Sequence, residues 1–208
     1  MGDKYKNFEE LAKHENEGKD YEIKYNSRGS KILVMVPHGG GIEPYTAPLA
    51  KKIAGTEFSY YAFKGTKRNR NIDLHITSHN FNEPKALQAA NDADRVVAIH
   101  GASDEKEEFI IVGGLDHILC SKIAKKLKEV GFSVKLPTAA MNATHPSNIC
   151  NRGKSKKGVQ LELSDKLRKA LRRDVKKQQL FVDTVRGVLR AEQVKRLRVK
   201  VKFIKFNL

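Results

Sequence analysis

Apolar residues along this chain fall in short runs separated by polar and glycine-rich breaks, and the period of each run predicts its element. Residues 32–36 (ILVMV) and 95–99 (RVVAI) are near-continuous and read as strands buried on both faces. Residues 21–25, 72–77, 158–163 and 199–203 alternate, the period of a strand with one covered face, and 57–63, 109–112 and 132–136 read as further short strands. In 72–77, Ile72, Leu74 and Ile76 share one face, with Asp73, His75 and Thr77 on the other. Helical spacing marks 8–17 before Gly18, 45–54 before Gly55, and 85–92 after Asn82-Glu83-Pro84. It recurs over 115–130 (Leu115, Leu119, Ile123, Leu127, Val130) before Gly131, from the Ser164-Asp165 cap to 173, and in a basic helix over 176–195. Strands alternating with helices predict an α/β fold: a single domain with a mixed, largely parallel central sheet flanked by helices. That domain spans 1–208, with 1–30 as an N-terminal extension packed on it and 174–208 as the basic helix and a terminal strand. No internal repeat is visible.

The loops after the two buried strands carry the chemistry. The first strand empties into KILVMVPHGGGIEP, where glycines permit a tight bend and His38 and Glu43 can turn toward one point. An imidazole and a carboxylate there suit a divalent metal, most naturally zinc. They equally suit a helix-capping loop in which His38 hydrogen-bonds backbone. The second buried strand also ends in a histidine, RVVAIHGAS, with His100 before Gly101. Ligands of open α/β sheets gather outside the carboxyl ends of the strands, which favours the metal reading. In GVQLEL, Val159, Leu161 and Leu163 alternate with Gln160 and Glu162, so Glu162 is either a solvated charge on an edge strand or a carboxylate facing a site. The His75 face of 72–77 is likewise either solvated or site-lining. The long loop 137–157, PTAAMNATHPSNICNRGKSKK, has a length typical of functional or disordered segments.

Composition narrows the partner. With 208 residues, 39% hydrophobic and 31% charged, the chain suits one soluble globular domain. No apolar run approaches bilayer length, so no membrane partner is expected. The N-terminus lacks the apolar core of a signal peptide, so synthesis and folding in the cytoplasm are expected. Cys120 and Cys150 are too few for a disulfide framework and lack metal-ligand spacing. A net charge of +16 draws polyanions, whether nucleic acid, anionic lipid or an acidic polymer. Aromatics are only 7% and sparse in the basic C-terminal helix, so nucleic-acid binding is the weaker expectation. The same charge opposes self-association, and a monomer is expected.

The order His38, Glu43, His100 and a late Glu162 resembles the zinc carboxypeptidase arrangement, except that those enzymes space the first pair H-x-x-E and this chain has H-x4-E. PHGGGIEPYT, NIDLHITSHNF, AIHG, THPSNICNRG and GVQLELS together resemble, from about residue 31 to 171, the phage-borne poly-γ-glutamate hydrolases, small zinc enzymes of carboxypeptidase-like fold. The resemblance implies one Zn2+ per chain held by His38, Glu43 and His100, with Glu162 as general base on a metal-activated water. It implies poly-γ-glutamate as substrate, an anionic polymer matched to the basic charge, and release by host lysis to act outside the cell. Arg152 and Arg70 (or Arg68) are the candidates for gripping substrate carboxylates, since guanidinium binds them bidentately. His75, His79, Asn80 and His145 are candidates for lining the cleft. A zinc amidase or deacylase of small N-acyl amino acids and a basic nucleic-acid-binding protein are the alternatives.

Overall fold

A computed structural model describes residues 2–206, with side chains through Val194. Its strands are β1 (Tyr21–Asn26), β2 (Ile32–Gly40), β3 (Ser59–Gly65), β4 (Arg95–Ala102), β5 (Ile110–Gly113), β6 (Val134–Lys135) and β7 (Val159–Ser164). Its helices are α1 (Phe8–Leu11), α2 (Thr46–Ala54), α3 (Pro84–Asp92), α4 (His117–Glu129), α5 (Asp165–Arg173) and α6 (Val175–Phe206). The strands form one sheet in the order β1-β3-β2-β4-β7-β5-β6. Pairings β2–β3, β2–β4, β4–β7 and β5–β6 are parallel, whereas β1–β3 and β5–β7 are antiparallel, giving the mixed, largely parallel sheet that the alternation of elements predicts.

Both faces of the central strands are covered, which is why they carry near-continuous apolar sequence. On one face Val34, Val36, Ile99 and Leu161 pack with Leu49, Ile53, Ile123 and Phe181 from α2, α4 and α6. On the other, Leu33, Met35 and Ala98 pack with Ala89 of α3, with Leu74, Ile76 and Phe81, and with Tyr5 and Leu11 of the N-terminal segment. Each such fully buried side chain stabilises the fold by roughly 1.5–3 kcal/mol. The N-terminal segment is also tied by polar contacts: Tyr5 donates to Glu15 at 2.6 Å and Lys67 reaches the same carboxylate at 2.8 Å. Glu83 caps α3 ahead of Pro84, and Ser164 caps α5.

Three sequence expectations change, and one open alternative closes. Residues 72–77 are not a strand: a 3-10 turn (Asn71–Leu74) leads into an extended loop, and Ile72 is 57% exposed. Residues 8–17 hold only the short α1, after which the chain turns. The strand 158–163 is no solvated edge, because β7 lies between β4 and β5. The alternation over 199–203 does not make a terminal strand: the periodicity of the residues before it carries α6 through Phe206. No helix among the described residues is long and apolar enough to cross a membrane.

Candidate active site

β2 delivers His38 through a break in its ladder. The register of β2 on β3 shifts between Val36 and Gly39, where Pro37 has no N–H to donate, and such a bulge re-aims the next side chain. Gly40 follows at φ +64°, packed so closely on Gly65 that a Cβ would run into that residue's carbonyl. The loop then closes with Glu43 N–H donating to His38 O at 3.0 Å, and this turn carries Glu43 back across the longer spacing. Its Oε1 sits 3.0 Å from His38 Nδ1. His100, at the end of parallel β4, places Nδ1 3.1 Å from His38 Nδ1 and 3.6 Å from Glu43 Oε2. Gly101 N–H donates to Glu43 Oε2 at 2.8 Å and fixes the carboxylate.

The hydrogen bonds around these rings define a donor set. His38 Nε2 lies 2.8 Å from the Ile76 carbonyl, an acceptor only, so Nε2 carries a proton and Nδ1 is the ring atom left to ligate a metal. His100 Nε2 lies 3.4 Å from Ser78 Oγ, leaving its Nδ1 toward the centre. Two imidazole nitrogens and a carboxylate at these separations fit a single zinc ion with an open fourth position. Both histidines are buried. Burial works against ionising Glu43, but the His38 and His100 imidazoles beside it prevail and hold its carboxyl well below the usual range. Burial would lower His100, but its hydrogen bond to Glu43 and the charges of Glu43 and Glu162 leave it raised.

Glu162 stands beside His100 by register, since the two are direct partners across β4 and β7. Gln160, two residues earlier on the same face, donates to Glu162 Oε1 at 2.7 Å and is itself held by Asn148 Nδ2 at 3.1 Å. Burial and the charge of Glu43 push Glu162 above the usual carboxylate range, against the pull of His100 and Arg168. These residues line a cleft of about 540 Å³, walled on one side by Met141 and Asn142 of the long loop. A second cleft of about 450 Å³ between α4 and α6, lined by Lys122, Asp183 and Glu192, contains no histidine or cysteine.

His75 faces the centre as well: its ring centroid is 4.1 Å from that of His38, and Asp3 Oδ1 lies 2.6 Å from its Nδ1, leaving Nε2 unprotonated. Ligand atoms of His38, Glu43 and His75 all fall within 4.8 Å of one another, a second donor set overlapping the first. The His100 set is tighter. His79 and His145 stack 5.0 Å apart and line the cleft at its exposed rim. Arg152, Arg70, Arg68 and Asn80 do not line it. Arg152 Nε donates to the Ser147 carbonyl at 2.9 Å and so braces the loop bearing His145. Arg70 is exposed and paired with Asp73 at 3.1 Å. Both cysteines are buried thiols, and burial pushes Cys120 up to about 12.

The sequence pattern left out Asp3, Asn148, Gln160 and Arg168. The first is far along the chain from its partners, and amides on a strand or loop carry no distinguishing spacing. Arg168 reads as one more charge on a basic helix, yet it is buried, with Nη2 3.1 Å from Asp165 and with Nε and Nη1 lacking hydrogen-bond partners. Its Nη1 occupies the space a side chain at Gly101 would fill, next to the Glu43 Cβ.

Comparison with known proteins shows the family and the fold. A family profile described as poly-gamma-glutamate hydrolase matches residues 5–186. The protein YndL of Bacillus subtilis (strain 168) is 38% identical over 175 residues, covering 81% of this chain and 67% of YndL. The solved structure of a bacteriophage poly-gamma-glutamate hydrolase superposes with a TM-score of 0.87 at 31% identity, covering 92% of this chain and 98% of that one. A structure described as zinc-free apo YndL superposes with a TM-score of 0.84 at 33% identity, covering 91% and 98%.

Proposed function

We propose that this chain, which belongs to the poly-γ-glutamate hydrolase family, is a zinc-dependent hydrolase cleaving the γ-glutamyl amide bonds of poly-γ-glutamate. His38, Glu43 and His100 hold one Zn2+, and Glu162 is the general base. The observation that carries this reading is the convergence of His38 Nδ1, His100 Nδ1 and the Glu43 carboxylate at 3.0–3.6 Å, with Glu162 in register beside His100. The description of a YndL structure as apo and zinc-free supports the choice of metal.

When bound, zinc lowers the pKa of a water from about 15.7 toward about 7 and polarises the scissile carbonyl. Glu162, steadied by Gln160, accepts the water's proton as oxygen attacks the carbonyl carbon, then returns it to the departing amine nitrogen as the C–N bond breaks. His75 backs His38 and is the alternative ligand. The exposed imidazoles of His79 and His145 meet substrate carboxylates at the rim, Arg152 acts through the loop it braces, and Arg70, Arg68 and Asn80 extend the polar surface along the polymer. The net charge of +16 draws the polyanion in. The enzyme works as a monomer, reaching polymer outside the cell after host lysis.

Metal analysis of the purified protein, with polymer sizing of poly-γ-glutamate before and after chelation, tests the reading. Stoichiometric zinc and chelator-sensitive shortening are expected. Zinc retained without shortening, with turnover of N-acyl amino acids instead, favours a small-amide hydrolase.

A further inference from the structure

One carboxylate near the start of the chain grips both neighbours of the carbonyl that orients His38. Asp3 Oδ1 lies 2.6 Å from His75 Nδ1, and Asp3 Oδ2 accepts from the Thr77 backbone N–H at 2.6 Å. Between them, Ile76 has its side chain buried in the core and its carbonyl 2.8 Å from His38 Nε2. The segment has no ladder to hold it, being neither strand nor helix between Leu74 and Pro84. Asp3 supplies what a neighbouring strand would: two bonds that stop residues 75–77 from rotating. With that carbonyl fixed, the His38 ring keeps its Nε2–H directed at it and its Nδ1 edge toward Glu43 and His100.

We propose that Asp3 is a positioning residue of the active site, fixing the orientation of the His38 ring through the 75–77 segment while aiming the His75 ring by its Nδ1. The N-terminal segment is therefore part of the catalytic apparatus and not only packing on the domain. This inference rests on the metal-site reading for its consequence, but not for its geometry.

The test uses the full chain as purified. Two-bond and three-bond ¹⁵N–¹H correlation spectra of the imidazoles identify the His38 Nε2–H, its exchange with solvent reads the bond to the Ile76 carbonyl, and a competing chelator titration reads the zinc dissociation constant. In Asp3→Ala, faster exchange of the His38 Nε2–H is expected, with a dissociation constant about 10–100-fold weaker, the usual scale for losing an outer-shell partner. The near-isosteric Asp3→Asn, which keeps one acceptor oxygen, is expected to fall between. Tyr5→Phe loosens the same segment by removing its bond to Glu15, and is expected to lower thermal stability with Nε2–H exchange and zinc affinity unchanged. A wild-type exchange rate and affinity in both Asp3 variants overturns the proposal, as does an equal loss of zinc affinity in Tyr5→Phe. If the wild-type protein binds no zinc, the proposed function fails while the spectra still decide the role of Asp3.

Discussion

Gly101→Ala is the most informative small change in the molecule. A Cβ at this position falls on Nη1 and Cζ of Arg168 and lies 3.1 Å from the Glu43 Cβ. The backbone cannot retreat, because Gly101 is laddered to Leu163 and its N–H holds Glu43. The guanidinium must leave its buried slot. Overpacking of this kind costs about 1–3 kcal/mol. Losing the charge-assisted contact from Arg168 to Asp165 adds about 1.5–3 kcal/mol at most. A total of about 2.5–6 kcal/mol in a domain of about 200 residues corresponds to a Tm lower by about 5–24 °C. Calorimetry on four proteins checks the cause: wild type, Gly101→Ala, Arg168→Ala and the double variant. With the guanidinium gone the slot is vacant, and alanine in place of a strand glycine should then be neutral or stabilising by about 0.5 kcal/mol. The two changes should therefore be strongly non-additive. Additive losses, or a Gly101→Ala protein as stable as wild type, would show that Arg168 does not depend on the missing side chain.

Other expectations rest on the same geometry. Glu162→Gln should retain zinc by metal analysis and lose about 10²–10⁴-fold in kcat, whereas His38→Ala should lose both metal and activity; an active Glu162→Gln enzyme would remove the base. Gln160→Leu breaks a hydrogen bond to that carboxylate worth about 1.5–3 kcal/mol, so kcat should fall about tenfold or more with KM little changed; a change confined to KM would place Gln160 on the substrate. Glu15 is held at about 2 against an ordinary 4.5: burial opposes this, and the hydrogen bonds from Lys67, Tyr5 and Lys4 overcome it. Since its folded pKa is depressed, its stabilisation is present above pH 4.5 and lost as pH falls toward 2. Allowing for the half-exposed Lys4, the loss is on the order of 1–2 kcal/mol. Urea unfolding of Glu15→Gln should thus differ from wild type at pH 6 and converge with it only as pH falls below about 2.

The core of the site was legible because strands buried on both faces declare themselves by composition. Once residues 32–36 and 95–99 were strands of one parallel sheet, His38 and His100 had to emerge at the same edge. Residues 72–77 misled because their alternation is real, with Leu74 and Ile76 buried, while the polar side is held by Asp3 instead of a neighbouring strand. That partner is remote in sequence, and no local period reports it. Gly158–Leu163 carried the right face assignment for Glu162 but not its place in the sheet. Order within a sheet is set by which strands meet in three dimensions, and here the short β5 closes over β7 from outside. The arginines could not be told apart by pattern. Among 40 Lys and Arg residues, helical spacing cannot separate buried Arg168 from exposed Arg70.

The sheet order has a consequence in time. The centre joins Asp3, a loop after β2, the end of β4 and the middle of β7, and only His38 and Glu43 are close neighbours along the chain. A chain emerging from the ribosome has presented most of its core-forming residues before β7 appears, yet it holds no Glu162 and no partner for the free edge of β4. Long-range parallel pairings form slowly, since loop closure precedes any gain from contact. Activity should therefore be the last property to appear during synthesis or refolding, and it should arrive in one step with the docking of β7.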